Sequence, residues 1–531
     1  MSKSDKEYLL IKGDISGIQK FIFNVYSKGA AKSLRGKSAY INFLTLVCVH
    51  KILDELEIEK DSIIYQGGGN FYLQVLNKEN ITSKLADIRT KILNNLKENF
   101  EGDIYLALDW IEVSRKELNE NIGNSWRSIN EKVRKMGQSK WKELIEVDES
   151  IFNDFFYIGD PNKENEICPV CKGNFKGKED RVEIKEDEYI CRQCHIFQNI
   201  ASEIRDAEYL CIQKWNGVKR TEKEFRILDY TIKLSKEKVL TNECIAVYKF
   251  NDRGLENNLY FPTHTPEGDF DGMAERSLGA DKLGILKLDV DNLGKVFTEK
   301  KSSIEFKKVS GQFKKFFEGR LNELAHGDDY KDNIYIIYSG GDDTFIVGSY
   351  DKILTFTRML KKEFDKEFNT DGKEKVTFSA GLLIVDMKQG VKSFAEKVEE
   401  YLERAKDNGK DAVVIFGEVF SWDEYGKLLE LKESIKKIVE VEGSKSILSK
   451  IMDSTKGFLS ATRTKNFNER KKRVWRLSYY LRNRIEAKDE VEGLIKIYED
   501  LALNRAKKDY TNGSIIPVAT RIAEFETRKG R

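Results

Sequence analysis

The sequence lacks several features, and each absence excludes a class of protein. No apolar run approaches the roughly 18 residues needed to cross a bilayer, which excludes a membrane-spanning helix. The first residues, MSKSDKEYLLIKGD, lack the extended apolar core of a secretion signal, and this favours a cytoplasmic protein. A strong excess of one charge is also missing, because 91 Lys and Arg residues balance 89 Asp and Glu residues. Any nucleic-acid surface must therefore be local.

The chain is long and contains an internal repeat. Its 531 residues are too many for one hydrophobic core and predict about three or four compact units. The segments IKGDISGIQKF and LKLDVDNLGKV align without gaps and pair Asp14 with Asp289. A second match without gaps, between IIYQGGGNFYLQV and IIYSGGDDTFIVG, pairs Tyr65 with Tyr338. Two matches at nearly the same spacing indicate a duplicated domain.

The pattern within each copy predicts the same order of elements. An apolar strand is followed by a helical stretch, a second strand that ends in a glycine turn, and a third strand. In the second copy, VTFSAGLLIV and the helical SFAEKVEEYLERAKDNGKD complete a ferredoxin-like palm. The segment IYLALDWIEV offers a further strand in the first copy. The predicted fold class is therefore α+β with two ferredoxin-like palm domains.

Three carboxylates can meet in the second copy. Asp289 ends the apolar strand LGILKLDV, and Asp342 and Asp343 lie at the tip of a predicted hairpin beside it. Oxygen ligands suit two Mg²⁺ or Mn²⁺ ions, which can bind a triphosphate and activate an attacking hydroxyl. The glycines Gly340 and Gly341 would let the backbone approach that ligand closely. The alternative is that GGDD is simply a polar turn, since Gly and Asp favour turns.

Further residues near these carboxylates are candidates for nucleotide binding. Lys406 and Lys410 lie four residues apart near a helix end, which predicts that both face one side and hold phosphates, with a solvated lysine face as the alternative. Ser339, which precedes the glycine turn, is assigned to the nucleotide as well. Asp291 is either a further ligand or a local cap.

The first copy has no acidic pair in its glycine turn. Gly69 and Asn70 stand where the second copy has two aspartates, so this half should be chemically silent. Gly67 and Gly68 still allow close backbone approach to a nucleotide. The first copy is therefore expected either to hold the second nucleotide or to be a structural remnant.

Two CxxC pairs predict a structural zinc site. The pairs are separated by 19 residues, which fits the spacing of four-cysteine zinc sites. Four thiolates close a tetrahedral shell and leave no position for substrate, so the site should be structural rather than catalytic. The predicted ligands are Cys168, Cys171, Cys191 and Cys194. His195 is interpreted as an ordinary polar neighbour, and Cys48, Cys211 and Cys244 as core residues.

These motifs together resemble one known family. GDISGIQKF, the paired CxxC motifs between two palms, LDVDNLG and GGDD, in this order, are similar to the large palm subunit of type III CRISPR effector complexes, specifically the Csm-type (III-A) branch. The resemblance covers nearly the whole chain. It implies a nucleotidyl cyclase-like enzyme that makes cyclic oligoadenylates from ATP when its guide RNA pairs with target RNA. It also implies other Csm subunits as partners, notably the guide 5′-end-binding subunit and the small helical subunit.

The resemblance also assigns roles to single residues. Asp342 and Asp343 match metal ligands of the family, and Asp289 matches the strand-end ligand of related diguanylate cyclases. Lys406 and Lys410 match their phosphate-contacting AKxxGR pattern, with Lys410 in place of Arg. One departure concerns the HD nuclease domain with which many members begin. The four histidines, His50, His195, His264 and His326, are not followed by Asp, so HD-type single-stranded DNase activity is not expected.

The chain after about Trp422 has a helical pattern without strand signals, which resembles the helical C-terminal domain of the family. Its segment NERKKRVWRLSYYLRNR suits RNA binding or, equally, a solvated helix with an aromatic core face. The basic and aromatic residues are Arg470, Lys471, Lys472, Arg473, Trp475, Arg476, Tyr479, Tyr480, Arg482 and Arg484. The predicted domains are a first palm (1–120), a linker domain with the zinc site (121–272), a catalytic second palm (273–420) and a helical domain (421–531).

Two other functions remain open at this point. The chain could be a stand-alone palm-type cyclase that makes a diguanylate or adenylate product, because such enzymes share the same carboxylates on a hairpin. It could also be mainly a scaffold for RNA and partner subunits. No residue of the sequence can be assigned to the recognition of adenine.

Overall fold

The computed structural model describes most of the chain. The described residues are 6–26, 30–156, 166–217, 223–238, 243–252, 258–263, 266, 269–341, 343–369, 375–455, 479–481, 487–503 and 514–528. Asp342 and most of the basic and aromatic segment, including residues 470–476, 482 and 484, lie outside this set. Tyr479 and Tyr480 are described and exposed. Among the described helices, none is long and apolar enough to cross a membrane.

The first copy of the repeat forms a four-stranded antiparallel sheet. Its strands are β1 (Tyr8–Ser16), β2 (Ile63–Gly67), β3 (Asn70–Leu76) and β4 (Tyr105–Val113), in the order β2-β3-β1-β4. Helices α1 (Ile18–Phe23), α2 (Ala30–Glu55) and α3 (Ile81–Phe100) belong to the same unit, and residues 60–62 form a short 3₁₀ turn. Three successive residues of β1, Leu9, Leu10 and Ile11, are fully buried. Since successive side chains of a strand point to opposite faces, both faces of the sheet are covered.

The segment between the two copies contains short helices, a hairpin and a second sheet. The helices are α4 (Arg115–Glu120), α5 (Ile122–Gln138), α6 (Lys142–Ile145), α7 (Ser150–Phe156), α8 (Arg192–Asp206) and α9 (Phe270–Glu275). After a 3₁₀ turn at residues 178–180, β5 (Arg181–Lys185) and β6 (Glu188–Cys191) form the hairpin. The second sheet has the order β11-β10-β7-β9-β8, with strands β7 (Tyr209–Lys214), β8 (Glu224–Ile227), β9 (Tyr230–Ser235), β10 (Cys244–Phe250) and β11 (Asn258–Leu259).

Cys211 is buried, as predicted, but Cys244 is only half-buried, and the prediction missed the bond between them. The two residues are bonded as a disulfide between β7 and β10, and their Cα atoms lie 6.2 Å apart. The two strands are antiparallel neighbours, which brings residues 33 positions apart in sequence within disulfide range. Cys48, in contrast, is a free buried cysteine on α2, as expected.

The second copy repeats the first and extends it. Its sheet has the order β13-β14-β12-β15-β16-β17, with strands β12 (Lys282–Val290), β13 (Ile334–Gly340), β14 (Asp343–Ser349), β15 (Phe378–Asp386), β16 (Ala412–Ile415) and β17 (Glu418–Ser421). The helices are α10 (Leu293–Thr298), α11 (Ser303–Lys314), α12 (Leu321–Ala325), α13 (Tyr350–Phe368) and α14 (Val391–Asp407). A π-helical turn at residues 315–320 joins α11 to α12. These sheets and helices confirm the α+β class.

The described residues after the second copy are helical, as predicted. They form α15 (Trp422–Glu442), α16 (Ser446–Thr455), α17 (Lys488–Leu503) and α18 (Ile515–Glu526). Helix α15 begins with a capping box in which Ser421 and Glu424 bond to each other's backbone N–H groups. Helix α18 packs against α15 and α16.

The two copies of the repeat pack against each other, and each copy places one helix against a strand of the other. Helix α2 of the first lies against β13 of the second, and α11 of the second lies against β2 of the first. Arg35 on α2 donates to the carbonyl of Ile336 at 2.9 Å, and Lys314 on α11 donates to the carbonyl of Gln66 at 3.0 Å. Most buried apolar residues of both copies belong to one continuous core, and Ala405, Ala412 and Val414 form a small separate cluster. The two glycine turns therefore meet face to face.

Candidate active site

Asp289 and Asp343 lie side by side. They are directly paired residues on the antiparallel strands β12 and β14, at the end of the sheet where the β13-β14 hairpin turns. Gly341 in that turn has φ +71°, a conformation that glycine adopts without strain. The sequence predicted this convergence of a strand end with a hairpin tip. The third predicted carboxylate, Asp342, lies outside the described residues.

Burial dominates the electrostatics of both carboxylates. It raises the pKa of Asp289 to about 6, which Lys406 opposes and the neighbouring Asp343 reinforces. Burial also raises the pKa of Asp343, and Lys287 opposes that shift. The site therefore holds more negative charge than the surrounding protein solvates well, and added cations would relieve this.

The two carboxylate oxygens of Asp343 differ in their hydrogen bonds to the described residues. Its Oδ2 accepts hydrogen bonds from the Tyr338 hydroxyl at 2.9 Å and from the Gln19 side-chain amide at 3.3 Å. Its Oδ1 is buried and has no hydrogen-bond partner among the described residues. A buried carboxylate oxygen without a donor is costly, whereas it is a suitable ligand for a hard divalent cation. The donor set therefore fits the predicted Mg²⁺ or Mn²⁺.

The two lysines reach the site, although not as predicted. Lys406, in the last turn of α14, lies 3.1 Å from Asp289 and 3.0 Å from Glu403. Lys410 lies beyond the end of α14 with φ +67°, and its ammonium donates to the Asn292 side chain at 2.5 Å. The expectation that both share one helix face was wrong, because the helix ends at Asp407 before Gly409 turns the chain at φ +104°. Both ammonium groups nevertheless lie near the C-terminal end of β12.

Asp291 is a structural residue. Its carboxylate accepts hydrogen bonds from Thr377 at 2.7 Å, Ser379 at 2.8 Å and the backbone N–H of Asp411 at 3.0 Å. These three donors tie β12 to β15 and to the chain after α14. The local-cap interpretation of Asp291 was wrong, because these partners lie 86, 88 and 120 positions away and the N-cap of α10 is Asn292.

Sequence reasoning missed a charged pair beneath the site. Lys287 is buried on β12 two residues before Asp289 and forms an ion pair with Glu399 on α14. The two residues are 112 positions apart, so no local pattern could have joined them. A signal for Lys287 was nevertheless present, because the repeat places Lys12 at the equivalent position two residues before Asp14. Lys12 lies 3.6 Å from Asp14.

The glycine turns of the two copies touch at their backbones. A Cβ atom added to Gly68 would lie 2.7 Å from the carbonyl oxygen of Gly340, and one added to Gly67 would lie 3.1 Å from Glu318. Ser339 is buried, and its hydroxyl donates to the carbonyl of Phe317 at 2.7 Å. That hydroxyl is therefore engaged within the protein in the nucleotide-free structure.

A cavity of about 170 Å³ lies between the two copies beside Asp343, and we call it the interpalm cavity. Three isoleucines form apolar walls, and two side-chain amides, three hydroxyls and the Asp343 carboxylate add polar groups. The lining residues from the first copy are Ile18, Gln19, Ile22, Ser38, Ile41, Asn42 and Gly68, and those from the second are Tyr338, Ser339, Gly340 and Asp343. An apolar slot with a few polar groups is the usual form of a small-molecule site.

The four predicted zinc ligands converge. The sulfur atoms of Cys168, Cys171, Cys191 and Cys194 all lie within 4.8 Å of one another. Those of Cys171 and Cys191 are 3.8 Å apart, which matches the edge of about 3.8 Å of a tetrahedron with Zn–S bonds of about 2.3 Å. The backbone N–H of Cys191 donates to the Cys168 sulfur at 3.3 Å. Four thiols in this arrangement fit a zinc ion.

Comparisons with known proteins bear on this geometry. A family model described as Csm1 subunit domain B matches residues 7–154, and the model of the second palm domain of Cas10/Cmr2 matches residues 282–414. Two curated relatives carry the name CRISPR system single-strand-specific deoxyribonuclease Cas10/Csm1 (subtype III-A). The protein of Methanocaldococcus jannaschii is 28% identical over 82% of this chain and 63% of its own length. The protein of Streptococcus thermophilus is 26% identical over 92% of this chain and 64% of its own length.

The chain thus spans less than two thirds of the length of these relatives. Among solved structures, a Csm1-Csm4 subcomplex of the type III-A interference complex matches 99% of this chain and 70% of that chain with a TM-score of 0.72 and 19% identity. A Csm1-Csm4 cassette in complex with cA4 matches 99% of this chain and 71% of that chain with a TM-score of 0.73 and 20% identity. At this identity the likeness establishes the fold. Taken with the two family models and the curated relatives, the chain is similar to the large Cas10/Csm1 subunits of subtype III-A.

Proposed function

We propose that this chain is the large subunit of a type III CRISPR effector complex and that its second palm joins ATP molecules into cyclic oligoadenylates. The observation that carries the proposal is the pair of carboxylates on adjacent strands, Asp289 and Asp343, with the buried and unpartnered Oδ1 of Asp343. Csm1-Csm4 cassettes of the same fold have been crystallised with one ATP, cA3 and cA4, which supports the same substrate here.

The residues of the second palm would divide the work of the transfer. Asp289, Asp342 and Asp343 would hold two Mg²⁺ or Mn²⁺ ions. When bound, such ions activate the attacking 3′-hydroxyl and stabilise the leaving pyrophosphate. Lys406, which neutralises Asp289 in the nucleotide-free protein, and Lys410 would donate to the triphosphate. Gly340 and Gly341 would let the hairpin backbone approach it, and Ser339 would line the same space.

The first palm would hold the second nucleotide in the interpalm cavity. Its isoleucine walls suit the faces of a purine ring, and the amides of Asn42 and Gln19 carry the donor and acceptor pair that matches adenine. Gly68 lines this cavity and Gly67 precedes it in the turn, and Asn70 supplies no charge for a metal ion. The cavity opens onto Asp343, so a nucleotide there would lie next to the catalytic carboxylates.

The remaining assignments are proposed on the same grounds. The four cysteines would bind a structural Zn²⁺, and the chain would divide into domains near residues 120, 272 and 420, between the sheets described above. Guide RNA, target RNA and further Csm subunits would be its partners. The relatives are named as single-strand-specific deoxyribonucleases. Because none of the four histidines of this sequence is followed by Asp, we propose that these 531 residues carry no HD-type nuclease site.

The experiment that tests the proposed function is product analysis of the assembled complex. Guide-loaded complex is incubated with ATP and Mg²⁺, with and without cognate target RNA, and the products are identified by mass spectrometry. Cyclic oligoadenylates with 3′-5′ linkages that depend on target RNA are expected. A guanine-containing dinucleotide from mixed ATP and GTP would instead support a diguanylate cyclase, and the absence of product in every assembly state would support a scaffold.

A further inference from the structure

Helix α1 is clamped on one side by the four-cysteine module. The backbone N–H of Tyr26, just after α1, donates to the carbonyl of Val170 at 2.8 Å. Val170 lies between Cys168 and Cys171 in the first CxxC pair. The Phe21 ring of α1 packs edge-on against Phe197, with ring centroids 5.3 Å apart. Phe197 lies on α8, the helix that carries Cys194, so a neighbour of each cysteine pair contacts α1 or the residues just after it.

Lys37 on α2 completes this clamp. Its ammonium is buried and donates to the carbonyls of Phe21 at 3.0 Å and Asn24 at 2.8 Å, which are among the final carbonyls of α1. These groups lack partners within a helix and form its negative end, where a cation is favourable. The ammonium also lies 5.0 Å from the centre of the Phe21 ring. Lys37 thus fixes the C-terminal end of α1.

The charge of the cysteine module supports Lys37 in its buried position. Burial lowers the pKa of Lys37, and the nearby Cys194, Cys171 and Cys191 raise it. Four thiolates around one Zn²⁺ carry a net charge of about −2, which a buried ammonium partly offsets. The neighbouring Gly36 allows the backbones of α2 and α8 to lie close together, because a Cβ there would lie 1.7 Å from the carbonyl oxygen of Phe197. Helices α2 and α8 are therefore in backbone contact beside Lys37.

The opposite part of α1 lines the interpalm cavity. Ile18, Gln19 and Ile22 are among the cavity residues, and Gln19 donates to Asp343 at 3.3 Å. Helix α1 has six residues, a length of about 9 Å, so a shift at Phe21 or Asn24 moves Gln19 as well. A helix this short has little stability of its own and depends on the groups that hold its ends.

We propose that Lys37 is a positioning residue through which the four-cysteine metal site holds α1, and with it the nucleotide site of the interpalm cavity, in place. The inference rests on the proposed function insofar as the cavity binds a nucleotide. On this account the metal site does more than stabilise its own module, because the cavity wall that faces Asp343 is positioned by it.

The test compares three variants of the full chain. Lys37→Met removes the charge, Lys37→Arg keeps it, and Lys51→Met is the matched control. Lys51 is an equally buried lysine on the same helix, but it pairs with Glu55 and Asp229, away from α1. Zinc content, amide hydrogen exchange of α1 and affinity for a non-hydrolysable ATP analogue with Mg²⁺ are measured. Lys37→Met should keep its zinc, exchange α1 amides at least tenfold faster and bind the analogue at least tenfold more weakly. Lys37→Arg should restore most of the slow amide exchange and most of the analogue affinity, and Lys51→Met should match wild type in both measurements.

Chelation of zinc from the wild-type chain is the second arm, and it does not depend on folding of the Lys37→Met variant. Under conditions in which circular dichroism shows that the helices are retained, zinc removal should speed amide exchange in α1 and lower the affinity for the ATP analogue, as Lys37→Met does. Removing zinc from the Lys37→Met protein should change the exchange rate and the affinity by less than a further twofold. The inference would be overturned if the α1 amides exchanged as slowly as in the untreated wild-type protein, either after zinc removal or in a folded Lys37→Met variant. Exchange at α1 does not require a nucleotide, so a loosened α1 in a chain that binds no ATP in any form would support the coupling and count against the proposed function.

Discussion

Substitution of Gly68 by alanine should separate the two glycine turns without unfolding the chain. Gly68 lies in the turn of the first palm with φ +59°, and an added Cβ would be 2.7 Å from the carbonyl oxygen of Gly340. Ordinary contacts of this kind begin at 3.4 Å. The difference between 3.4 and 2.7 Å means that the turns must part by about 0.7 Å. Gly340 pairs directly with Asp343, so this movement reaches the carboxylates.

The size of the effect follows from two separate costs. An alanine at positive φ costs about 1–2 kcal/mol of folding free energy, which a chain of this size should tolerate. A displacement of about 1 Å between reacting groups can cost about a hundredfold in rate, so a shift of about 0.7 Å predicts a loss of roughly ten- to hundredfold. The loss should appear in kcat, because the acceptor nucleotide is still bound but is misplaced relative to the metal ligands.

Gly443 provides a matched control. It also has φ +59°, but a Cβ there would meet no atom of the described residues within 4 Å. Gly443→Ala therefore carries the same backbone strain without a clash, and it should lower the melting temperature like Gly68→Ala while leaving turnover unchanged. Steady-state rates of oligoadenylate synthesis by complexes assembled with each variant provide the comparison. If a folded Gly68→Ala complex worked at the wild-type rate, the two palms would not form a composite site.

Three further outcomes are expected. Because burial raises the folded-state pKa of Asp289 to about 6 from a usual value of 3.8, the metal-free chain should lose stability as pH rises through this window, by at most about 3 kcal/mol, and Asp289→Asn should flatten the dependence of melting temperature on pH. Metal analysis should find zinc in the wild-type chain and not in the Cys168→Ser, Cys191→Ser double variant, and equal zinc in both would reject the site. The purified chain should not cleave single-stranded DNA with Mg²⁺ or Mn²⁺, and cleavage that survives Asp342→Ala with Asp343→Ala would reveal a nuclease site that the sequence did not show.

The parts of the site that lie on one strand or hairpin could be predicted from sequence. The apolar run LGILKLDV identifies β12, and the paired glycines before Asp343 identify the turn of the hairpin, so the pairing of Asp289 with Asp343 follows from ordinary strand geometry. The four cysteines could be predicted because their spacing is itself the signal. The repeat added the relation between the two palms.

Contacts between distant segments could not be predicted. Gln19 reaches Asp343 across 324 positions, and Lys287 meets Glu399 on another element. Lys410 shows a different limit, since the exact end of α14 decides whether it shares a helix face with Lys406, and helix ends are the least certain feature of a sequence pattern. The disulfide between Cys211 and Cys244 required the strand order of the second sheet, which no pattern in the chain specifies.

The most direct test of the account is the rate of oligoadenylate synthesis by guide-loaded, target-bound complex that contains the Asp342→Ala, Asp343→Ala double variant. Loss of these carboxylates would remove two of the proposed metal ligands and no apolar side chain of the core. The account predicts at least a thousandfold lower rate, equivalent to about 4 kcal/mol of transition-state stabilisation, with zinc content, melting temperature and complex assembly close to wild type. Oligoadenylate synthesis at the wild-type rate by this complex would contradict the assignment of the site.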